Sequence, residues 1–341
     1  MTQDSRRTDH GPTIYEVAER AGVSIATVSR TLRGTGPVAP ETRRRVLEAA
    51  EALRFTPSRA GVSLAEGRHA ATGIVFPDLS GPYYAEVLMG CEEVASELGR
   101  SMIVLSTRGR SEVPRLVRDL AGRVDGLVVF GGTVPDDLLA ELAGGGHPLV
   151  LIASAPLPGA DLVAAENHDS AVRLAEHLVG HGHRTFTLLG AGDGSDIAQR
   201  WRGVTGVLER LGLPAGAPVP CAFTVEGGYA AGRELLARTG RPDAVVCADD
   251  QIALGVLLAA EELGLSVPAD VAVTGWDDIM AARHARPALT TVRQPMRELG
   301  ARAARALDEL IGGERTGSRH QTLPTELVVR ASCGTHPLEE A

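Results

Sequence analysis

The sequence predicts two unlike parts: a small all-α head and a larger α/β body of parallel sheets with helices on both faces. Three observations predict it. Capped helical runs with apolar periodicity fill residues 13–53, and no strand pattern interrupts them. From Ala71 onward short apolar runs alternate with helical stretches, the rhythm of a parallel sheet covered by helices. Charge divides at the same place. Residues 1–68 hold 11 Arg against 8 acidic residues, whereas the remaining 273 hold 23 Arg against 35. A basic head on an acidic body fits an appended nucleic-acid module.

In the head, Thr13 and Glu16 form a capping box, in which each side chain satisfies a backbone N–H that the helix leaves open. Ile14, Val17, Ala18 and Ala21 follow at helical spacing, and Gly22 ends the helix where a left-handed backbone is needed. Ser24 caps a second helix whose inner face is Val28 and Leu32. Ala18 allows close helix approach, Gly22 makes the turn and Val28 plugs the gap: the steric pattern of a helix-turn-helix. Pro40 opens a third helix carrying Val46, Leu47, Ala50 and Leu53. A plain three-helix bundle could imitate these periods. Against it, the outer face of the second helix shows Ile25, Ala26, Thr27, Ser29 and Arg30 with no carboxylate, which suits docking in a major groove.

The run TIYEVAERAGVSIATVSRTLRG, followed by PETRRRVLEAAEALRF and TPSRAGVSLA, resembles the lactose-repressor (LacI/GalR) family of bacterial transcription regulators. The resemblance continues through FPDLSGPYYAEVLMG, HLVGHGHRTFTLLG, ADDQIALGVLLAAEELGLSVPADVAVTGWDD, ALTTVRQP and LPTELVVR, in family order over about residues 13–333. It implies a homodimeric regulator, read as a repressor, on palindromic double-stranded DNA. Its operator affinity would be set by a small polar effector, a carbohydrate or derivative. Ile25, Ala26 and Arg30 match residues that read base edges; Arg30 suits guanine. Ser24, Thr27 and Ser29 match phosphate contacts. Ala39 stands where members often have Ser, which removes a cap from the third helix.

Residues 57–64 are too few for a stable isolated helix. The resemblance implies that they fold on DNA, with Arg59 at the duplex and Leu64 wedged into the minor groove. A plain linker is the alternative. Ser58 in place of a common Asn, and Gly61 within the segment, depart from the family pattern.

In the body, apolar runs are expected as strands at 72–76, 101–105, 126–130, 149–153, 185–189, 244–248 and 271–276. Between them, helical patterns lie at 84–98, 112–121, 136–143, 170–180, 199–211, 227–237, 251–263 and 296–310. About 260 residues of this pattern suit two lobes. The resemblance makes the fold a helix-turn-helix head plus a two-lobed periplasmic-binding-protein-like core. A flexible tail occupies 1–12, the head 13–56, the hinge 57–69 and the core 70–335. The N-lobe takes about 70–166 and 293–323, and the C-lobe about 167–292 and 324–335. Ligands in open α/β sheets sit beyond strand carboxyl ends, and Asp78, Asp249, Asp250, Asp277 and Asp278 each follow a strand. Matched to the family, Arg200, Asp249 and Asp277 bond the effector, and Tyr84 and Phe223 wall it in. Asp250 and Asp278 are read as caps or braces. Asp249 replaces a usual Asn, Ala153-Ser154 a common Asp-Arg, Glu166 an Asp and Ser170 a Gly, so no relative's sugar carries over.

No G-x-G-x-x-G follows a strand, and no G-x-x-x-x-G-K-[ST], G-x-S-x-G or H-E-x-x-H occurs, so nothing in the sequence points to an enzyme or a cofactor. Cys91, Cys221, Cys247 and Cys333 are far apart, which argues against a zinc module or a disulfide scaffold and suits a reducing cytoplasm. The first thirty residues show no apolar signal region, and no stretch reaches the roughly 18 apolar residues of a membrane span. The alternative function is a stand-alone solute receptor of the periplasmic type; the head and the missing signal oppose it. Aromatics are only 3% of the chain, so packing rests on aliphatic and small side chains.

Overall fold

In the computed structural model the chain divides into two units, residues 1–69 and 70–341. The structure describes residues 12–34, 36–55, 69–79, 81–190, 195–313 and 317–334. The tail before Pro12, the hinge residues Arg59, Gly61 and Leu64, and residues 191–194 lie outside them.

The first unit is three helices, α1 (Ile14–Ala21), α2 (Ile25–Arg33) and α3 (Pro40–Ala52). Thr13 and Glu16 cap α1 reciprocally, and Gly22 ends it at φ 63°. The Thr27 N–H donates to Ser24 Oγ at 3.2 Å and so caps α2. No side chain caps α3, because Ala39 has none to offer. Val17, Ala18, Ala21, Val28, Val46, Ala49 and Ala50 form the core, with Val28 fully buried between α1 and α3. Leu47 does not join it and is 48% exposed. The inner stripe of α3 runs Val46, Ala49, Ala50, and the position after Val46 turns about 100° away from that stripe.

The second unit carries two sheets of parallel strands. The first has six: β1 (Ala71–Phe76), β2 (Ser101–Ser106), β3 (Leu127–Phe130), β4 (Leu149–Ile152), β5 (Asp161–Ala165) and β10 (His320–Leu323), in the order β10-β5-β4-β3-β1-β2. The second has β6 (Phe186–Leu189), β7 (Ala244–Cys247) and β8 (Ala272–Thr274). A short antiparallel pair, β9 (Thr291–Arg293) with β11 (Glu326–Val328), continues from β8 through the Thr274–Thr290 and Asp277–Arg293 bridges. The chain therefore passes between lobes after β5, after β9 and after β10. Each sheet is buried on both faces by helices, with separate apolar clusters on each side.

The sequence pattern does not announce β5, β9, β10 or β11. The segment His320-Gln-Thr-Leu323 is polar, and Asp161 begins β5; pairing across 158 residues creates these strands, with the Arg319 N–H on Asp161 Oδ1 at 2.9 Å. Helix packing relies on reciprocal glycines. Helices Pro82–Glu97 and Met296–Gly312 cross so closely that a Cβ at Gly90 would overlap the Arg297 carbonyl, and one at Gly300 the Val87 carbonyl. Gly228 and Gly255 do the same for helices Val225–Leu236 and Asp250–Glu262 in the other lobe.

Candidate functional sites

In the head, Ser24, Ile25, Ala26 and Arg30 are exposed, and Thr27 and Ser29 are half-buried. The first turn of α2 holds no acid, so its open N–H groups and positive dipole end favour an anion such as a phosphate. Ser24 Oγ shares a 2.9 Å hydrogen bond with Thr27 Oγ1, which fixes both hydroxyls at that end. Arg30 Nε donates to the Ala26 carbonyl at 3.3 Å, laying the stem along the helix with its guanidinium exposed. Ile25, 40% exposed, puts an apolar group beside it. A helix of this make-up can read a base edge, touch a thymine methyl and grip the backbone in one footprint.

In the body, Asp78, Tyr84, Arg200, Phe223, Asp249 and Asp277 all line one cavity of about 260 Å³. All but Arg200 follow a strand or stand at a helix start; Arg200 lies in the second turn of a helix that begins at Ser195, earlier than the expected 199. Asp78 lies beyond β1, Asp249 beyond β7 and Asp277 beyond β8, at the carboxyl edge where parallel strands present their loops. Asp78 meets Arg108 in an ion pair at 2.6 Å on the rim.

Arg200 is 8% exposed and held on three sides. Its Nε donates to Asn167 Oδ1 at 2.8 Å and its Nη1 to the Ala248 carbonyl at 2.6 Å. Its guanidinium carbon lies 4.4 Å from the centre of the Trp276 ring, a cation–π contact. Asn167, the only Asn in the chain, is fixed in turn by its Nδ2 on the Ala165 carbonyl at 2.9 Å.

The acids are strained and desolvated. Asp277 sits at φ 114° and Asp278 at φ 59°, and Ala153 at the end of β4 is at φ 50°, backbone that favours glycine. Gln294 Nε2 donates to Asp277 Oδ1 at 2.6 Å. Burial pushes the Asp277 carboxyl well above its usual range, against the pull of Arg200. Burial likewise raises Asp249 to about 6, opposed by the Ile252 N–H and by Arg200. That N–H reaches Asp249 Oδ1 at 2.7 Å, so Asp249 caps helix Asp250–Glu262 while lining the cavity.

Aromatic side chains are scarce, with five Phe, four Tyr and two Trp, yet they gather here. Tyr83, Tyr84, Phe130 and Phe223 line the cavity. Tyr84 stacks on Phe76 at 6.2 Å and meets the edge of Phe130 at 5.3 Å. Burial lifts the Tyr84 hydroxyl to about 12.

Asp250 and Asp278 stay out of this cavity. Asp250 accepts from Thr291 Oγ1 at 2.6 Å and from the Ile279 N–H at 2.8 Å. Asp278 takes Arg283, Arg293 and Arg330 at 3.0, 2.8 and 2.5 Å. Burial alone would raise Asp278; the three guanidiniums bring it below its usual value. Glu166 caps helix His168–Gly180 through the Asp169 and Ser170 N–H groups, and Ser170 Oγ meets Thr325 Oγ1 at 2.6 Å. Both residues tie chain crossings together. Sequence reasoning missed Asn167 as the partner of Arg200, and missed Trp276, Gln294, Tyr83, Phe130 and Asp196. Only the singular Asn could have drawn notice.

Residues 13–58 match the family of bacterial regulatory proteins called the lacI family, and residues 175–333 match a periplasmic binding protein-like domain. The chain is 33% identical to the HTH-type transcriptional regulator DegA of Bacillus subtilis, over 96% of this chain and 98% of that one. Among solved structures, a lac repressor dimer bound to operator and the anti-inducer ONPF superposes with a TM-score of 0.84 at 28% identity, covering 96% of this chain and all of that one. A complex of the transcriptional regulator CelR with cellobiose matches at 0.71 and 32% identity, covering 94% and 99%. The chain belongs to the lacI family of bacterial regulatory proteins and is a DNA-binding transcriptional regulator. Its relatives are regulators of transcription, which sets the stand-alone receptor aside. Among the described residues no helix is long and apolar enough to cross a membrane.

Proposed function

We propose that the protein is a homodimeric repressor of a palindromic operator, released or retained by a sugar or sugar derivative bound between the lobes. The observation that carries this reading is the convergence of Asp78, Tyr84, Arg200, Phe223, Asp249 and Asp277 on one cavity. Guanidinium donors and carboxylate acceptors together suit a molecule dense in hydroxyls, which donate and accept at once. Aromatic rings suit the apolar face of a pyranose. A volume of about 260 Å³ lies just below the roughly 300–1,000 Å³ of common ligand sites, which favours monosaccharide size. In the head, Ile25, Ala26 and Arg30 read bases, and Ser24, Thr27 and Ser29 hold phosphates. Arg59 and Leu64 complete the DNA contact from the hinge.

The test is a calorimetric screen of monosaccharides on the full chain, with operator affinity followed by fluorescence anisotropy. A ligand should bind wild type, shift operator affinity, and bind at least tenfold more weakly to Arg200→Ala and Phe223→Ala. A ligand that binds all three alike, or that leaves operator affinity unmoved, overturns the assignment.

A further inference from the structure

Resting on that effector reading, we infer that the cleft selects a hydroxylated ligand carrying a protonated amine, of amino-sugar type, over its neutral or anionic counterparts. The inference comes from the donors and acceptors that the wall presents. Among the described residues the inner cavity holds three carboxyl groups, Asp196, Asp249 and Asp277, against one cation, Arg200. The other basic residue, Arg108, is 60% exposed and bound to Asp78 on the rim.

Donors in this wall are part engaged, with the Tyr83 and Tyr84 hydroxyls and the remaining Arg200 N–H groups open to a ligand's hydroxyls. Two of the Arg200 nitrogens serve Asn167 and Ala248. The Gln294 amide nitrogen serves Asp277, and that of Gln251 points to the Phe223 carbonyl at 3.4 Å. Acceptors are left over. Gln294 is 4% exposed, lines the cavity, and its Oε1 has no hydrogen-bond partner among the described residues. Its amide nitrogen is spent on Asp277 Oδ1. Asp249 accepts the Ile252 and Gln251 N–H groups and Asp277 the Gln294 amide, fewer than the roughly four bonds a carboxylate can accept. Among the described residues the wall therefore carries more carboxyl groups than cations, and more open acceptors at them than its one inner guanidinium can serve.

An ammonium group brings three N–H donors and a positive charge to this surplus of acceptors. Tyr83, Tyr84, Phe130 and Phe223 add ring faces, whose negative quadrupole attracts a cation. A cation would also offset the burial that holds Asp249 and Asp277 above their usual values. Hydroxyls are needed as well, because the remaining Arg200 N–H groups require acceptors that a bare alkylammonium lacks. A phosphate or carboxylate would face Asp249 and Asp277 directly.

The experiment is calorimetry on the full chain at pH 7.5 with matched sets: glucosamine, glucose and glucose 6-phosphate; galactosamine and galactose; mannosamine and mannose. Operator affinity is read in parallel. At least one amine should bind ten times tighter than its neutral partner. In Asp249→Asn, which keeps a side-chain oxygen for the helix cap, that preference should shrink to about threefold or less. A neutral sugar that binds as tightly as its amine, a preference untouched by Asp249→Asn, or a panel in which no amine binds overturns the inference. A neutral sugar that shifts operator affinity while its amine is silent leaves the effector reading standing. An amine that binds without moving operator affinity supports the selectivity and overturns the effector reading instead.

Discussion

At the scale of single side chains, Arg30 and Asp249 bear on the two proposed activities. The Arg30 guanidinium is exposed on α2, with its stem held by the Ala26 carbonyl. Arg30→Ala should cost about 1–3 kcal/mol of operator binding and relax preference at one base pair per half-site. Competition binding across single-base operator variants reads this directly, and uniform weakening would make Arg30 a phosphate contact. Asp249 stands at about 6 in the fold against 3.8 in the free side chain. Between those values the folded chain holds a proton that the unfolded chain has released, so stability falls as pH rises through that window, and the penalty persists above it. Asp250, raised to about 7 by burial, extends the same slope. Asp249→Asn should thus stabilise the protein at pH 7.5 by the order of 1–3 kcal/mol, with the gain fading near pH 4. Urea unfolding at the two pH values decides it. A variant no more stable at pH 7.5 would mean that Arg200 and the cap already satisfy the charge.

At the scale of elements, glycine placement separates two roles that look alike in a sequence. Gly300 lies where two helices touch through backbone, so Gly300→Ala should push Met296–Gly312 off Pro82–Glu97 and cost about 1–3 kcal/mol. Gly206 lies in helix Ser195–Arg210, exposed and with no atom within 4 Å of where a Cβ would stand. Gly206→Ala should stabilise by about 0.5–1 kcal/mol, because alanine loses less freedom on entering a helix. Thermal unfolding of the two variants should therefore move in opposite directions. Opposite signs test the close crossing itself, since helix propensity alone would make both substitutions favourable.

Across the whole molecule, the proposed function makes DNA and effector coupled ligands of one chain. In the proposed homodimer, two-fold symmetry in protein and operator would double a short readout, so sedimentation should show a stable dimer, with weak binding to a lone half-site. Reciprocity is strict for equilibrium binding. Whatever factor the effector imposes on operator affinity, saturating operator must impose on effector affinity. Titrating the same ligand with and without operator checks this, and unequal factors would show that the two measurements report different states.

The sequence by itself determined the head almost to the residue. Capping boxes, a left-handed glycine and an i, i+4 stripe are set by neighbours a few positions away, and Thr13, Gly22, Ser24 and Val28 show them in order. It also marked most body strands and Asp78, Asp249 and Asp277, because acids beyond strand ends stand out in an aliphatic background, while Tyr84, Arg200 and Phe223 were legible through the family resemblance. Tertiary structure alone decided what those residues do together. Arg200 finds Asn167 at 33 residues' distance and Ala248 at 48, and Trp276 slides beneath it. Strand β10 exists only because β5 pairs with it, and Gly300 matters only because Val87 lies against it. Leu47 reads as core and lies outside, since a rotation of about 100° around the helix, not hydrophobicity, chooses the buried face. Short-range periodicity and capping are written along the chain. Hydrogen-bond partners, desolvation and close backbone approach depend on distances that exist only once the chain has folded.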